Sequence, residues 1–334
     1  MAPHKDQGHR PKHFGFLLID DFALMSAASA VEPLRAANML SGAPLYHMQF
    51  LSARGGWQRS SVGGAFETVP LAAAGSDFDV LFVVAGGDPM AFGDPHVLGW
   101  LRRLGRAGVP LGGISGGAVL LARAGLLAAR RFTVHWEHID ALRLAYPEAL
   151  IERRLFVIDR DRFTCAGGMA PLDMMHALIA KDHGVALARG VSDWFIHTGI
   201  RAAEEPQQID AARKYDLRHP ALVAAVELMA SHIADPLSLS DLAQLSGIGT
   251  RQLERLAQEQ LGQSVMGFYR RVRLDQADAL LRRSSLPLAE VAQAAGFTAY
   301  SHFSRAFAET FGETPRHRRG SAGRSGTAVA PDPA

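Results

Sequence analysis

The sequence predicts two domains of different class. An α/β domain with a mostly parallel sheet spans residues 13–200, and an all-helical domain with two helix-turn-helix units spans 218–319. Three observations lead there. Short apolar runs alternate with Ala/Leu-rich stretches up to about residue 194, the pattern of a sheet covered on both faces. From Pro220 the texture becomes uniformly helical, and the last third contains an internal repeat. A chain of 334 residues is also too long for one ordinary core.

In chain order, strands are expected at His13–Ile19, Tyr46–Ala53, Val80–Ala85, Pro110–Ile114, Arg131–Trp136 and Leu155–Cys165. Helical stretches such as Ala27–Leu40 and Gly117–Leu127 lie between them. The glycine pairs Gly86-Gly87, Gly112-Gly113 and Gly167-Gly168 lie in or after three of the strands. Residues 201–217 are polar and contain one proline, as a linker would. Residues 1–12 are expected to form a flexible tail and residues 320–334 a disordered one.

Composition excludes several classes. A hydrophobic fraction of 48% with 20% charged residues is that of an ordinary soluble domain protein. No apolar run has the length to span a bilayer, and the polar start MAPHKDQGHRPK is unlike a secretory signal, so no membrane association is expected. A single cysteine, Cys165, allows no internal disulfide and agrees with a reducing, cytoplasmic setting. None of the 14 histidines stands in a zinc-hydrolase pattern, and His135 with His138 lacks further clustered ligands, so neither metal nor cofactor is expected. Lys and Arg exceed Asp and Glu by three in residues 211–320 and fall one short in residues 1–210. That distribution permits nucleic-acid binding in the last third without demanding it.

In the repeat, Leu239–Gly247 (LSDLAQLSG) aligns with Leu288–Gly296 (LAEVAQAAG), and Arg251–Gly262 with Ser301–Gly312. Each copy reads as a short helix, a tight turn and a second helix. Ser238 is a natural N-cap with Asp241 at the capping-box position, Gly247 suits a left-handed helix end, and Thr250 can cap the next helix. Pro287 replaces the capping serine in the second copy. Leu253, Leu256 and Leu261 make one inward face and Phe303, Phe307 and Phe311 the other. Arg251, Gln252, Glu254, Arg255 and Gln258 then point outward, as do Ser301, His302, Ser304 and Arg305. Arginine can donate two bonds to guanine, and short polar side chains reach base edges, so double-stranded DNA is the expected partner. Val265–Arg283 should be one bridging helix, with Arg270, Arg271 and Arg273 placed to meet phosphates.

Residues 218–318 resemble the AraC/XylS DNA-binding domain through PLSLSDLAQLSG, PLAEVAQAAGF and HFSRAFAETFGETPRHRR. The resemblance implies two major-groove helices one DNA turn apart, with Arg251, Glu254 and Arg255 reading in the first unit and Ser301, His302, Ser304 and Arg305 in the second. It also implies RNA polymerase as a further partner.

In the first domain, PLGGISGGAVLL is a strand, a glycine turn and a helix, with Ser115 where a nucleophile elbow would expose a side chain. Residues 13–194 resemble the PfpI-like, class I glutamine-amidotransferase-like domain, which has a flavodoxin-like sheet. The resemblance implies one pocket holding Ser115 with Gly116 beside it, Glu32 of SAVEPLRAAN and His135 of FTVHWEH, with the pair Gly86-Gly87, followed by Asp88, in the loop that supplies an oxyanion-type N–H. Hydrolytic members carry Cys followed by His, whereas here Ser115 is followed by Gly116, and a serine needs a base in contact. The fusion of both domains resembles GlxA-type regulators, associated with catabolism of amino acids and quaternary amines such as betaine or carnitine. That implies a catalytically inactive cleft binding a small-molecule effector, with Trp136 facing a cation and Glu32 or Asp173 pairing with it. A homodimer through the first domain and transcription activation are expected on the same basis. The alternative is a Ser115-dependent amidase or hydrolase with a DNA-binding appendage.

Overall fold

The computed structural model describes residues 10–208, 211–284 and 286–325, so the expected residues 1–9 and 326–334 of the two tails lie outside the described residues. The chain divides after Gln207 into two compact units.

The first unit runs β1 (Lys12–Leu18), α1 (Leu24–Ser41), β2 (Tyr46–Ser52), β3 (Gly56–Arg59), β4 (Ala65–Pro70), β5 (Val80–Ala85), α2 (Pro95–Arg106), β6 (Leu111–Ser115) and α3 (Gly117–Arg123). It continues with β7 (Arg131–Phe132), α4 (Trp136–Ala145), β8 (Leu150–Ile151), β9 (Phe156–Asp159), β10 (Arg162–Cys165), α5 (Ala170–His183) and α6 (Val185–Trp194). The main sheet has the order β3-β4-β2-β1-β5-β6-β10-β9. Pairings from β4 through β2, β1, β5 and β6 to β10 are parallel, and only β3 and β9 are antiparallel edges. Its central order, second strand, first, then onward, is the flavodoxin-like arrangement, with helices on both faces.

Side-chain alternation explains the two layers. In β1, Phe14, Phe16 and Leu18 face the core under α1, α5 and α6, while Leu17 enters the core under α2 and α3. In β5, Val80, Phe82 and Val84 take the first side and Leu81, Val83 and Ala85 the second, so this central strand is apolar throughout.

Two strand expectations change. The run Arg131–Trp136 pairs over two residues only, because His135 caps α4 by accepting the Glu137 N–H and Trp136 is already helical. Leu155–Cys165 is not one strand but the hairpin β9–β10, turned at Arg160 with φ +59°. The hairpin β3–β4 has no counterpart among the expected strands, since its exposed edge carries no apolar run.

The second unit is helical among its described residues: α7 (Ala211–Lys214), α8 (Pro220–Ser231), α9 (Leu239–Leu245), α10 (Thr250–Leu261), α11 (Val265–Arg283), α12 (Leu288–Ala294), α13 (Tyr300–Phe311) and α14 (Pro315–Ser325). The helix α14 therefore enters the segment expected as a tail. The polar stretch 201–217 is shared between the units. Residues 201–207 hydrogen-bond to the α/β unit, and Ala211, Tyr215 and Leu217 pack into the core around Leu222, Leu253 and Tyr269.

Candidate effector cleft and DNA-reading helices

The loops at the carboxyl ends of β1, β5, β6 and β10 lie side by side, the place where ligands settle in a doubly wound sheet. At their centre Ser115 ends β6 with φ +56°, a conformation strained for a non-glycine residue, and its side chain is almost buried. Packing makes the surrounding glycines necessary. A Cβ at Gly117 would stand 1.9 Å from the Val83 carbonyl oxygen, one at Gly113 2.5 Å from the Ala118 nitrogen, and one at Gly167 2.7 Å from the Ser115 Cβ. The turn after β10 is thus pressed against the elbow. The Gly168 N–H donates to the Ser26 hydroxyl of α1 at 2.8 Å, and the Ser29 hydroxyl lies 3.7 Å from the Met169 sulfur.

Around this centre the expected residues take different places. Gly116 packs on Pro89 and donates its N–H to the Ala85 carbonyl, so that amide is already used. Gly87, at φ +59°, and Asp88 are exposed in the β5 loop, where the Asp88 carboxylate accepts the Met90 and Ala91 N–H groups. Glu32 lies one turn after Ser29 on α1, and its carboxylate pairs with Arg35 at 2.6 Å. His135 engages Glu137, and Trp136 is half-buried against the α2/α3 core with its ring 5.3 Å from His135.

Asp173 is placed otherwise than an effector-facing acid would be. Its side chain is fully buried in the first turn of α5, and it accepts from the Arg201 backbone at 2.9 Å, the Arg201 guanidinium at 3.0 and 2.7 Å, and His197 at 3.1 Å. Both oxygens are occupied from within the protein. Cys165 lies behind the elbow in β10, where burial pushes its thiol up to about 12, so it stays neutral. Sequence reading missed Ser26, Ser29, Met169 and Arg201; only the Gly167-Gly168 pair signalled that wall.

The repeat folds as two matching units. Gly247 and Gly296 both turn at φ +74°, and Gly262 and Gly312 end the second helices at φ +69° and +75°. The capping box is complete at Ser238 and Asp241, while Pro287 provides no side-chain cap. Thr250 is the first helical residue, with Gly249 at the N-cap instead. Arg251, Gln252, Arg255, Ser301, His302 and Arg305 are exposed, and Ser304 is half-exposed. Arg255 forms an i,i+4 pair with Glu259 on the open surface, a weak contact that DNA can displace.

Two residues expected at DNA do internal work. Glu254 accepts the Val265 N–H at 3.1 Å and so caps the bridging helix α11. Arg273 donates to the Ala295 and Gly296 carbonyls at 2.9 and 2.7 Å and lies 4.4 Å over the Phe297 ring, fastening the second unit's turn to α11. Arg270 is exposed, and Arg271 pairs with Asp275.

A family model described as "Helix-turn-helix domain" matches residues 242–321, and one described as "DJ-1/PfpI family" matches residues 58–181. The HTH-type transcriptional regulator GlxA of Rhizobium meliloti is 45% identical over 327 residues, covering 96% of this chain and 100% of its own length. The chain belongs to the AraC-type transcriptional regulators with a DJ-1/PfpI domain. The regulator CdhR of Pseudomonas aeruginosa is 42% identical, over 92% of this chain and 91% of its own. Among solved structures, an AraC family transcriptional regulator from Pseudomonas putida matches with 28% identity and a TM-score of 0.51, over 55% of this chain and 100% of that one. A ThiJ/PfpI family protein from Pseudomonas syringae shares the fold at 20% identity and a TM-score of 0.52, over 74% of this chain and 90% of that one. The protein is therefore a DNA-binding transcriptional regulator. No helix among the described residues is long and apolar enough to cross a membrane.

Proposed function

We propose that this regulator binds a small metabolite in the cleft around Ser115 and activates transcription by presenting α10 and α13 to two successive major grooves. The observation that carries the cleft reading is the elbow itself. Its strained turn and tight glycine packing persist, while the chemistry of a hydrolase is missing: Gly116 follows Ser115, and the nearby thiol is held neutral. A serine hydroxyl in a rigid turn is then a hydrogen-bond donor to a ligand. Trp136 and His135 offer the aromatic surface that suits an amino acid or a quaternary amine such as betaine or carnitine. On the DNA side Arg251, Gln252 and Arg255 read the first groove, and Ser301, His302, Ser304 and Arg305 the second. Pairing of two chains through the α/β unit places two such readers on one promoter, next to RNA polymerase.

Thermal unfolding of the full chain against amino acids and quaternary amines tests the reading, because a bound ligand raises stability by mass action. Trp57, Trp100, Trp136 and Trp194 all belong to the first unit, so tryptophan fluorescence follows that unit alone. One compound should shift its transition, and Ser115→Ala should abolish the shift. Turnover of an amide or ester by the native chain, lost in Ser115→Ala, would overturn the reading in favour of a hydrolase.

A further inference from the structure

The segment after α6 is more firmly held than its polar composition suggests. Four hydrogen bonds converge on the buried Asp173 carboxylate, and every donor comes from His197 or Arg201. Next along the chain, the Leu155 N–H is shared between the Ala203 and Glu205 carbonyls at 3.1 and 3.2 Å, and Arg154 pairs with Glu204 at 3.0 Å. The Gln207 amide nitrogen then lies 2.9 Å from the Thr133 hydroxyl, 3.0 Å from the Val134 carbonyl and 2.7 Å from the Arg154 carbonyl. The second unit begins one residue later.

The Asp173 anchorage adjoins the elbow, and the Gln207 anchorage touches the residues that lead into His135 and Trp136. Asp173 stands in the first turn of α5, directly after the Gly167–Met169 turn that is pressed against Ser115. Val134 immediately precedes His135 and Trp136. Among the described residues the carbonyl oxygen of the Gln207 side chain has no hydrogen-bond partner, beside a nitrogen with more acceptors than hydrogens. One end of the segment is thus held by a buried ion pair with both carboxylate oxygens occupied, and the other by neutral hydrogen bonds of one side-chain amide, the weaker of the two attachments.

We propose that residues 197–207 are the strap that carries the state of the cleft to the DNA-binding unit, with Arg201 as its fixed anchor and Gln207 as its releasable end. This rests on the cleft being an effector site. Movement of the Gly167–Met169 turn or of Val134 alters the docking of the strap, and the strap leads by covalent connection into the reader. Coupling of this kind is reciprocal, so DNA binding must be felt at the strap and cleft even without effector.

Hydrogen–deuterium exchange on the full chain tests this, with and without a duplex that the chain itself selects from random-sequence DNA. In the native protein, DNA should change exchange in peptides covering residues 155, 167–175 and 197–207 by about fivefold or more. Arg201→Ala should confine the change to residues 211 onward while DNA is still bound. Arg201→Lys keeps the charge without the fork and should weaken the propagation, and Gln207→Ala should do the same from the other end. These milder variants carry the test if Arg201→Ala fails to fold, as judged by tryptophan fluorescence. A DNA effect confined to the second unit in the native chain overturns the strap, as does unaltered propagation in all variants. Propagation without any ligand-induced thermal shift overturns the effector reading alone; a thermal shift without propagation overturns the strap alone.

Discussion

Arg273 separates two accounts of the bridging helix. Replacing it with Ala removes two charge-assisted hydrogen bonds to the carbonyls that end α12 and a cation–π contact with Phe297. Bonds to a charged group contribute about 1.5–3 kcal/mol each, and a half-exposed cation–π contact adds about 0.5–1 kcal/mol. Water can reach part of this site, so we take the low end and expect a loss of about 3 kcal/mol from the second unit. For a unit of this size that is a fall of roughly 10 °C in its midpoint. Burial holds the guanidinium below its ordinary pKa, in keeping with an internal role. Far-UV circular dichroism of the full chain reads the helices of both units while tryptophan fluorescence reads the first alone. The loss should therefore appear as a downshifted part of the dichroism transition with the fluorescence midpoint unchanged. The slope of log affinity against log salt should stay as in the native chain. An unchanged midpoint with a slope smaller by about one would refute the argument and make Arg273 a phosphate contact, as its sequence position suggests.

Other outcomes follow from the same structure. Arg255→Ala and Arg305→Ala should each weaken specific DNA binding by about 1–3 kcal/mol in a competition assay, with relaxed preference at one base position apiece; equal weakening on all sequences would remove them from the readers. Glu254→Ala should lower the second unit's melting midpoint through loss of the Val265 cap, yet leave base preference in that assay unaltered. Asp241 is held below the ordinary aspartate range by its bonds to Ser238, so it stabilises the fold above its unfolded pKa and that stability is lost as pH falls through the lower folded value. Asp241→Asn should flatten the acid limb of a urea-midpoint profile; an unchanged limb would contradict this. Gly117→Ala should prevent folding of the first unit, because the added methyl meets the Val83 carbonyl at 1.9 Å; native tryptophan fluorescence from that variant would disprove it.

Legibility in the sequence followed periodicity. Val265–Arg283 was readable to the residue, since its apolar spacing has helical period and Ser264 caps it. Val80–Ala85 was readable because burial on both faces leaves an unbroken apolar run. The hairpin β3–β4 and the division of Leu155–Cys165 were not, because edges and turns depend on pairing that composition does not record. At the cleft, glycine spacing exposed the elbow at Ser115. Which acid stays open was hidden, for Asp173 is buried against Arg201, 28 residues away, while the pair of Glu32 with Arg35 on its own helix is an exposed one. Glu254 and Arg273 carry the polar character of DNA contacts, and only the packing of α11 shows that their hydrogen bonds are spent inside.

The measurement that bears most directly on the whole account is a footprint of the full chain on DNA that it selects. Two protected major-groove segments about one helical turn apart should appear for each chain. Arg255→Ala should relax base preference within one of them and Arg305→Ala within the other. A single protected segment, indifferent to substitution in α13, would contradict the paired reader on which the account stands.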